Sequence, residues 1–335
     1  PCSLHNLHVG VYDADNYAVA VNGDVIAVVY NNWEKAHTML YKSSDNGYSW
    51  GTEIVWENPI HLLDWTTDEN PLFDQFNAPT HVSVALDKDG YAHVALSIGM
   101  FAHYELGTNY SLYNGLMTDG VAYWNEASGM PLQSPDGNPW NALKLWWEDE
   151  NNQVYNINPQ NFCAWTPPHN EEGFNGFDAS MQYTGSQNGT AGDYLLSIGV
   201  SAYPSIAVDP AGNIAVAYSA PDLNLGDLWY DSQTGNEYYY RSLFVNYKPA
   251  GTTDWTSMTV YGQSLDECTY VTAVSNPVNE NEFWFSCLSD DTPGFHTGSI
   301  TSQPNISTST VNVFKFTPAE GYTSDEWLNV NETID

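Results

Sequence analysis

Along the chain, apolar residues recur with a period of two in short runs that close on Gly, Asn and Asp. Residues 17–21 and 25–30 flank Asn22-Gly23-Asp24, and residues 82–86 and 92–98 flank Asp87-Lys88-Asp89-Gly90. Residues 205–208 and 214–218 flank Asp209-Pro210-Ala211-Gly212-Asn213, and residues 270–274 and 283–287 flank Asn276-Pro277-Val278-Asn279. β-Branched and aromatic residues alternating with polar ones, broken by residues that tolerate positive φ, predict β-hairpins. After each hairpin comes a third apolar run (Met39-Leu40-Tyr41-Lys42, Val121-Ala122-Tyr123-Trp124, Phe244-Val245-Asn246-Tyr247-Lys248, Val313-Phe314-Lys315-Phe316), then a turn, then a tryptophan opening a fourth strand: Trp50, Trp140, Trp255 and Trp327. Four repeated units follow, at about 16–57, 80–147, 203–261 and 269–333. Residues 148–196 hold strand-like pieces among polar loops and read as an insertion or a degenerate fifth unit. The expectation is an all-β chain, one domain over residues 1–335, with almost no helix.

Loop length then sorts the two ends of each unit. In an up-and-down sheet the 1→2 and 3→4 turns share one end, and the 2→3 loops and unit-to-unit crossovers share the other. The 1→2 turns are short and the 3→4 turns short or moderate, while the 2→3 loops (99–120, 219–236, 289–309) and the crossovers (57–80, 148–201) are long. Long loops on a rigid scaffold carry function. The long-loop end holds Trp33, Trp65, Trp165, Trp229, Tyr104, Tyr110, Tyr113 and Tyr230, whose flat faces suit sugar rings or apolar protein anchors, unless they serve to pack the loops down. It also holds Asp64, Asp68, Glu69, Asp74, Asp222, Asp227, Asp231, Asp290 and Asp291, hard oxygen ligands that favour Ca²⁺. Asp13, Asp15 and Asn16 form the tightest oxygen cluster, a candidate Ca²⁺ site or a solvated turn.

Charge narrows the partners. Seven Lys and Arg against 41 Asp and Glu leave a net charge of −34, a field that repels nucleic acid and anionic membrane surfaces. With 42% hydrophobic and 14% aromatic residues the chain can still fill a core. No apolar run approaches the roughly 18 residues of a spanning helix. A start at Pro1 without a signal segment is read as a mature chain, and four N-x-S/T sequons (Asn109, Asn188, Asn305, Asn331) fit an extracellular or cell-surface location. The four cysteines lack metal or haem spacing. Folding residues 269–286 about Asn276–Asn279 would set Cys268 opposite Cys287 in a cross-strand disulfide, leaving Cys2 to pair with Cys163; four buried thiols are the alternative. Phosphate-loop, nucleophile-elbow and zinc-protease motifs are absent, so no organic cofactor is expected.

The first 3→4 turn reads Ser43-Ser44-Asp45-Asn46-Gly47-Tyr48-Ser49-Trp50. It resembles the Asp box, or BNR repeat, of sialidase-like β-propellers, with degenerate versions ending at Trp140, Trp255 and Trp327. The resemblance implies a β-propeller of four-stranded antiparallel blades, in which Ser43, Asp45, Gly47 and Trp50 have a structural role. It does not imply a sialidase. Those enzymes clamp the substrate carboxylate with three arginines, and this chain has one, Arg241. Polysaccharide lyases on related propellers resemble the Gly90-Tyr91-Ala92-His93-Val94 stretch with His81 upstream, but they too need basic residues, and both histidines read better as strand residues packed near the central channel. A hydrolase of neutral glycans needs two carboxylates, for which Asp64 beside Trp65 and Asp227 near Trp229 are candidates. The favoured reading is a propeller that binds a neutral glycan or a surface protein, with a glycoside hydrolase or a structural subunit of a surface layer or filament as alternatives.

Overall fold

A computed structural model of the chain describes residues 17–32, 37–57, 74–103, 111–112, 120–128, 162–165, 202–221, 228–231, 236–239, 241–252, 255–261, 267–290, 310–318 and 328–330. The described residues are nearly all β, organised as consecutive antiparallel meanders. The first sheet runs β1 (Tyr17–Asn22), β2 (Val25–Asn32), β3 (His37–Ser43), β4 (Gly51–Trp56) in sequence order. The second contains β5 (Asp74–Leu86), β6 (Ala92–His103), β8 (Gly120–Asn125) and β9 (Phe162–Trp165), with β7 (Ser111–Leu112) added to the far end of β6. The third runs β10 (Ala202–Val208), β11 (Ile214–Pro221), β14 (Arg241–Lys248), β15 (Thr256–Tyr261), and a separate hairpin, β12 (Leu228–Asp231) with β13 (Asn236–Tyr239), rises from its 2→3 connection. The fourth runs β16 (Glu267–Ser275), β17 (Phe283–Asp290), β18 (Thr310–Phe316), β19 (Leu328–Val330).

The period-two pattern now has a cause. The two middle sheets are buried on both faces, so successive residues of one strand enter different cores. In β6, Val94 and Leu96 join a core with Ala27, Val29 and Leu40 of the first sheet, while Ala95 joins a core with Ile206 and Val216 of the third. In β11, Ala215 and Ala217 turn the other way, toward Phe283, Phe285 and Phe314 of the fourth. The first strands β1, β5, β10 and β16 contact one another in that order, so the sheets pack face to face in chain order.

Polar side chains tie the sheets together. Lys42 Nζ donates to both oxygens of Glu126 at 2.8 and 2.6 Å, joining the first sheet to the second, and Glu126 Oε2 also accepts from the Ala92 N–H at 2.9 Å. Asp209, 2% exposed, accepts at Oδ1 from the N–H of Ala211 and Asn213, and at Oδ2 from Asn213 Nδ2 and, at 2.6 Å, from the N–H of Asn281 on the fourth sheet.

Two expectations are corrected. The second and third sheets share a core, and Ser83 Oγ accepts directly from the Ile206 N–H at 3.1 Å. Of residues 148–196, expected as an insertion or a degenerate fifth unit, the described Phe162–Trp165 form β9, which pairs with β8. The 3→4 connection of the second sheet is therefore long, and the strand expected after Trp140 lies outside the described residues. No disulfide joins Cys268 to Cys287. The hairpin closes later than expected, with the Asn276 N–H on the Glu282 carbonyl, and the pairing shifts between Thr269 and Thr272, which sets Cys268 opposite Ser289. Both thiols are buried in the core between the third and fourth sheets.

Candidate functional site

Each of the last three first strands breaks register, β10 and β16 near their starts and β5 midway. The shifts fall between Pro79 and His81 in β5, between Ala202 and Ser205 in β10, and between Thr269 and Thr272 in β16. Bulges of this kind re-aim a side chain. Tyr203 and Tyr270 lie within their bulges, and His81 directly follows the one in β5. Tyr203 has φ +53° and Tyr270 φ +49°, a left-handed conformation that bulky residues seldom adopt and that recurs at functional positions.

The three rings form a row across three sheets. His81 and Tyr203 centroids lie 4.8 Å apart, and Tyr203 and Tyr270 centroids 4.6 Å apart. The buried Ser97 supports the histidine: its Oγ accepts from the His81 N–H at 3.1 Å and lies 3.3 Å from Nδ1. Tyr203 is half-buried and Tyr270 is 42% exposed, so the row reaches solvent at Tyr270. By register it stands where β6, β11 and β17 lead into their 2→3 connections, the long-loop end of the sheets. Arg241 begins β14 at that end, is 4% exposed, and donates from Nη1 to the Ser219 carbonyl at 3.2 Å.

Sequence reading had singled out His81 and missed both tyrosines. A signal was present: His81, Tyr203 and Tyr270 each stand six residues before the Asp or Asn that closes the strand, namely Asp87, Asp209 and Asn276. In the first unit that position is Asn16, outside the described residues.

Of the aromatic candidates, Trp229 and Tyr230 lie in β12, opposite Tyr238 and Glu237 of β13, on the hairpin that leaves the long-loop end of the third sheet. Trp165 ends β9 opposite Gly120. Trp33, Trp65, Tyr104, Tyr110 and Tyr113, the carboxylates Asp64 and Asp227, and the cluster Asp13, Asp15 and Asn16 lie outside the described residues, as does Cys2. Cys163 sits in β9. Among the described residues, no group of three or more His, Cys, Asp or Glu side chains converges as a metal centre.

The opposite end is built from tight turns bonded within themselves and, at Asp209, to the next sheet. Asp45 Oδ1 accepts from the Ser49 N–H at 2.8 Å and from Ser43 Oγ at 2.7 Å, and Oδ2 accepts from Ser49 Oγ at 2.6 Å. These bonds, from Ser49 above all, hold the carboxyl down at about 2. Ser43 Oγ accepts from the Gly47 N–H, Gly47 has φ +85°, and Trp50 Nε1 donates to the Gly47 carbonyl. His93 is half-buried at this end, with Nδ1 2.8 Å from Tyr123 Oη and Nε2 3.4 Å from Asp87, while Lys248 lies over the Tyr123 and Trp255 rings. Every polar atom of the Asp45 turn named here is spent on the turn itself, which suits a scaffold.

No family model matches the chain, and no curated protein matches it. Solved structures do. A protein of unknown function from Dyadobacter fermentans is 12% identical, with 89% of this chain and 65% of that one aligned at a TM-score of 0.39. An endo-arabinase from Bacteroides thetaiotaomicron is 12% identical over 98% of this chain and 83% of its own, TM-score 0.37. A Trypanosoma rangeli sialidase is 9% identical over 94% of this chain and 37% of its own, TM-score 0.36. The chain thus spans under two thirds of the Dyadobacter protein and little more than a third of the sialidase. Likenesses this remote leave function to the chain's own residues.

Proposed function

We propose that the four sheets are blades of a β-propeller of the Asp-box, sialidase-like superfamily, and that the long-loop end binds a neutral glycan. The observation that carries this reading is the row of His81, Tyr203 and Tyr270, each six residues before the Asp or Asn that closes its strand, on three adjacent sheets and ending in an exposed ring. Aromatic faces bind sugar rings through their apolar C–H faces without calling on charge. A neutral ligand also fits a protein carrying −34, which would repel a polyanion. Its one arginine is buried against a backbone carbonyl, a poor start for the three-arginine clamp of a sialidase. Trp229 and Tyr230 on their hairpin extend the surface in this reading, with Trp33, Trp65, Tyr104, Tyr113 and Trp165 as further contacts. Ca²⁺ bound by loop carboxylates would order the loops, and the location is extracellular or cell-surface.

The test is titration of neutral oligosaccharides (arabinan, xylan, mannan and glucan fragments) followed by calorimetry and by release of reducing ends. Binding without release, weakened at least tenfold by Tyr270→Ala and unchanged by Tyr48→Ala at the opposite end, supports a binding module. Release of reducing ends that is lost in Asp64→Asn or Asp227→Asn would make the chain a glycoside hydrolase. Absence of binding to every neutral glycan would remove the reading.

A further inference from the structure

Two Asn-Gly pairs stand at the short-turn end of the first sheet, and the structure holds them differently. Asn22-Gly23 closes the β1–β2 hairpin, and Asn46-Gly47 lies in the β3–β4 turn. An asparagine followed by glycine is open to an intramolecular reaction, because a residue without Cβ lets its backbone nitrogen approach the neighbouring side-chain amide carbon. The reaction needs a glycine nitrogen not held by another bond, a side chain able to turn toward it, and room for a five-membered ring. Asn46-Gly47 meets none of these needs. The Gly47 N–H donates to Ser43 Oγ at 2.8 Å. The Asn46 N–H donates to the Asp24 carbonyl at 2.9 Å and its Nδ2 to Asp24 Oδ1 at 2.7 Å, so backbone and side chain are both tied. The Trp50 ring lies 3.6 Å, and Ile26 Cδ1 3.8 Å, from where a Gly47 Cβ would stand.

Asn22-Gly23 meets all three. Both residues are exposed, and no heavy atom of the described residues lies within 4 Å of the place a Gly23 Cβ would take. Asn22 pairs with Val25, so Gly23, at φ +59°, is the first central residue of a two-residue turn, and its N–H takes no part in the turn's own hydrogen bonds. The Asn22 side chain makes one bond, from Nδ2 to the Asp87 carbonyl at 2.8 Å, at an exposed place where water competes for both partners. That bond also gives the reaction a consequence. It runs from the first hairpin to the second and joins their tips, where the first and second sheets meet.

We propose that Asn22 is a site of spontaneous deamidation in the folded chain, and that its modification loosens the joint between the first and second sheets. The Gly23 nitrogen attacks Asn22 Cγ and forms a C–N bond. Its proton passes to the departing amide, which leaves as ammonia. The succinimide then takes up one water and opens to aspartate or isoaspartate. Either product replaces the NH₂ donor by a carboxylate facing the Asp87 carbonyl, and adds one negative charge to a chain already at −34. The isoaspartate form also carries the backbone through the side-chain methylene, lengthening it at the residue that pairs with Val25. Asn46 in its turn is protected, although its dipeptide is the same.

Chymotryptic peptides separate the two pairs. Cleavage after Tyr17 and Tyr30 gives residues 18–30, which contain no asparagine but Asn22, and cleavage after Tyr41 and Tyr48 gives residues 42–48, which contain none but Asn46. The folded chain is held at mildly acidic and at mildly alkaline pH, sampled over weeks, digested and weighed by mass spectrometry. The expected result is a gain of one mass unit in residues 18–30, with isoaspartate present, at least tenfold faster than in residues 42–48 and faster at alkaline pH. In urea the two rates should converge, because the difference comes from the fold. Asn22→Gln should abolish the gain, since the longer side chain would have to close a six-membered ring. Amide hydrogen exchange in Asn22→Asp should be faster than in the unsubstituted chain at residues 18–21 and 87–91. Equal rates for the two peptides in the folded chain, or no gain in residues 18–30, would overturn the site. Unchanged exchange in Asn22→Asp would overturn the loosening of the joint.

Discussion

Asp209→Asn tests the claim that buried carboxylates at the short-turn end join the sheets. The Asp209 side chain is buried and accepts four hydrogen bonds, two from the backbone of its own turn, one from Asn213 Nδ2 and one from the Asn281 N–H across the joint between the third and fourth sheets. An amide keeps the shape but turns one oxygen into a donor. Whichever way it is set, an NH₂ faces two N–H groups, because both oxygens accept two bonds. Hydrogen bonds to a charged acceptor contribute about 1.5–3 kcal/mol each, and a stranded buried donor costs about 1–3 kcal/mol. Losing two and stranding their donors sums to more than neighbouring bonds deliver independently, so about 3–5 kcal/mol is expected. Urea unfolding followed by tryptophan fluorescence measures it, with Asp87→Asn as the control. Asp87 makes the same turn bonds, to the N–H of Asp89 at 2.9 Å and of Tyr91 at 2.8 Å, but it is half-buried in a turn whose tip is exposed and bonds no neighbouring sheet through its carboxylate, so water replaces part of the loss and about 1 kcal/mol is expected. If Asp209→Asn costs no more than Asp87→Asn, the inter-sheet role of Asp209 is refuted.

Trp124→Ala empties a site 2% exposed between the first and second sheets and should cost about 3–5 kcal/mol, whereas Tyr48→Ala, 82% exposed, should stay within about 0.5 kcal/mol; denaturant midpoints distinguish them. Burial lowers the His93 pKa below its ordinary 6.5, with Asp87 and Glu126 pulling upward and Lys248 downward. The unfolded chain therefore takes up this proton first, and stability falls as pH drops from 6.5 toward the lowered folded value; His93→Gln should flatten that part of the melting-temperature profile, and an unchanged profile would exclude His93 as its source. With 41 carboxylates and 7 basic groups, melting temperature should rise equally with NaCl and KCl, and rise further with millimolar Ca²⁺ at fixed ionic strength if the loop carboxylates bind it. No response to salt would refute the repulsion, and a salt response without an added Ca²⁺ effect would remove the metal sites.

By itself the sequence determined what is local. Alternation and turn chemistry placed the hairpins about Gly23, Gly90 and Gly212, each glycine at positive φ, and the strands that begin after Trp50, Trp255 and Trp327. They did so because side-chain direction in a strand and φ in a turn depend on a few adjacent residues. What depended on partners distant in the chain was not legible. The fourth strand of the second sheet came from Phe162–Trp165 rather than from after Trp140, because edge pairing is set by what the sheet can reach. Cys268 and Cys287 missed each other because a bulge and a later turn changed the register, and register is fixed by packing against the third sheet. The row of His81, Tyr203 and Tyr270 lay in plain view as a six-residue offset, yet it became a site only when three sheets stacked and brought rings far apart in sequence to within 5 Å of their neighbours in the row.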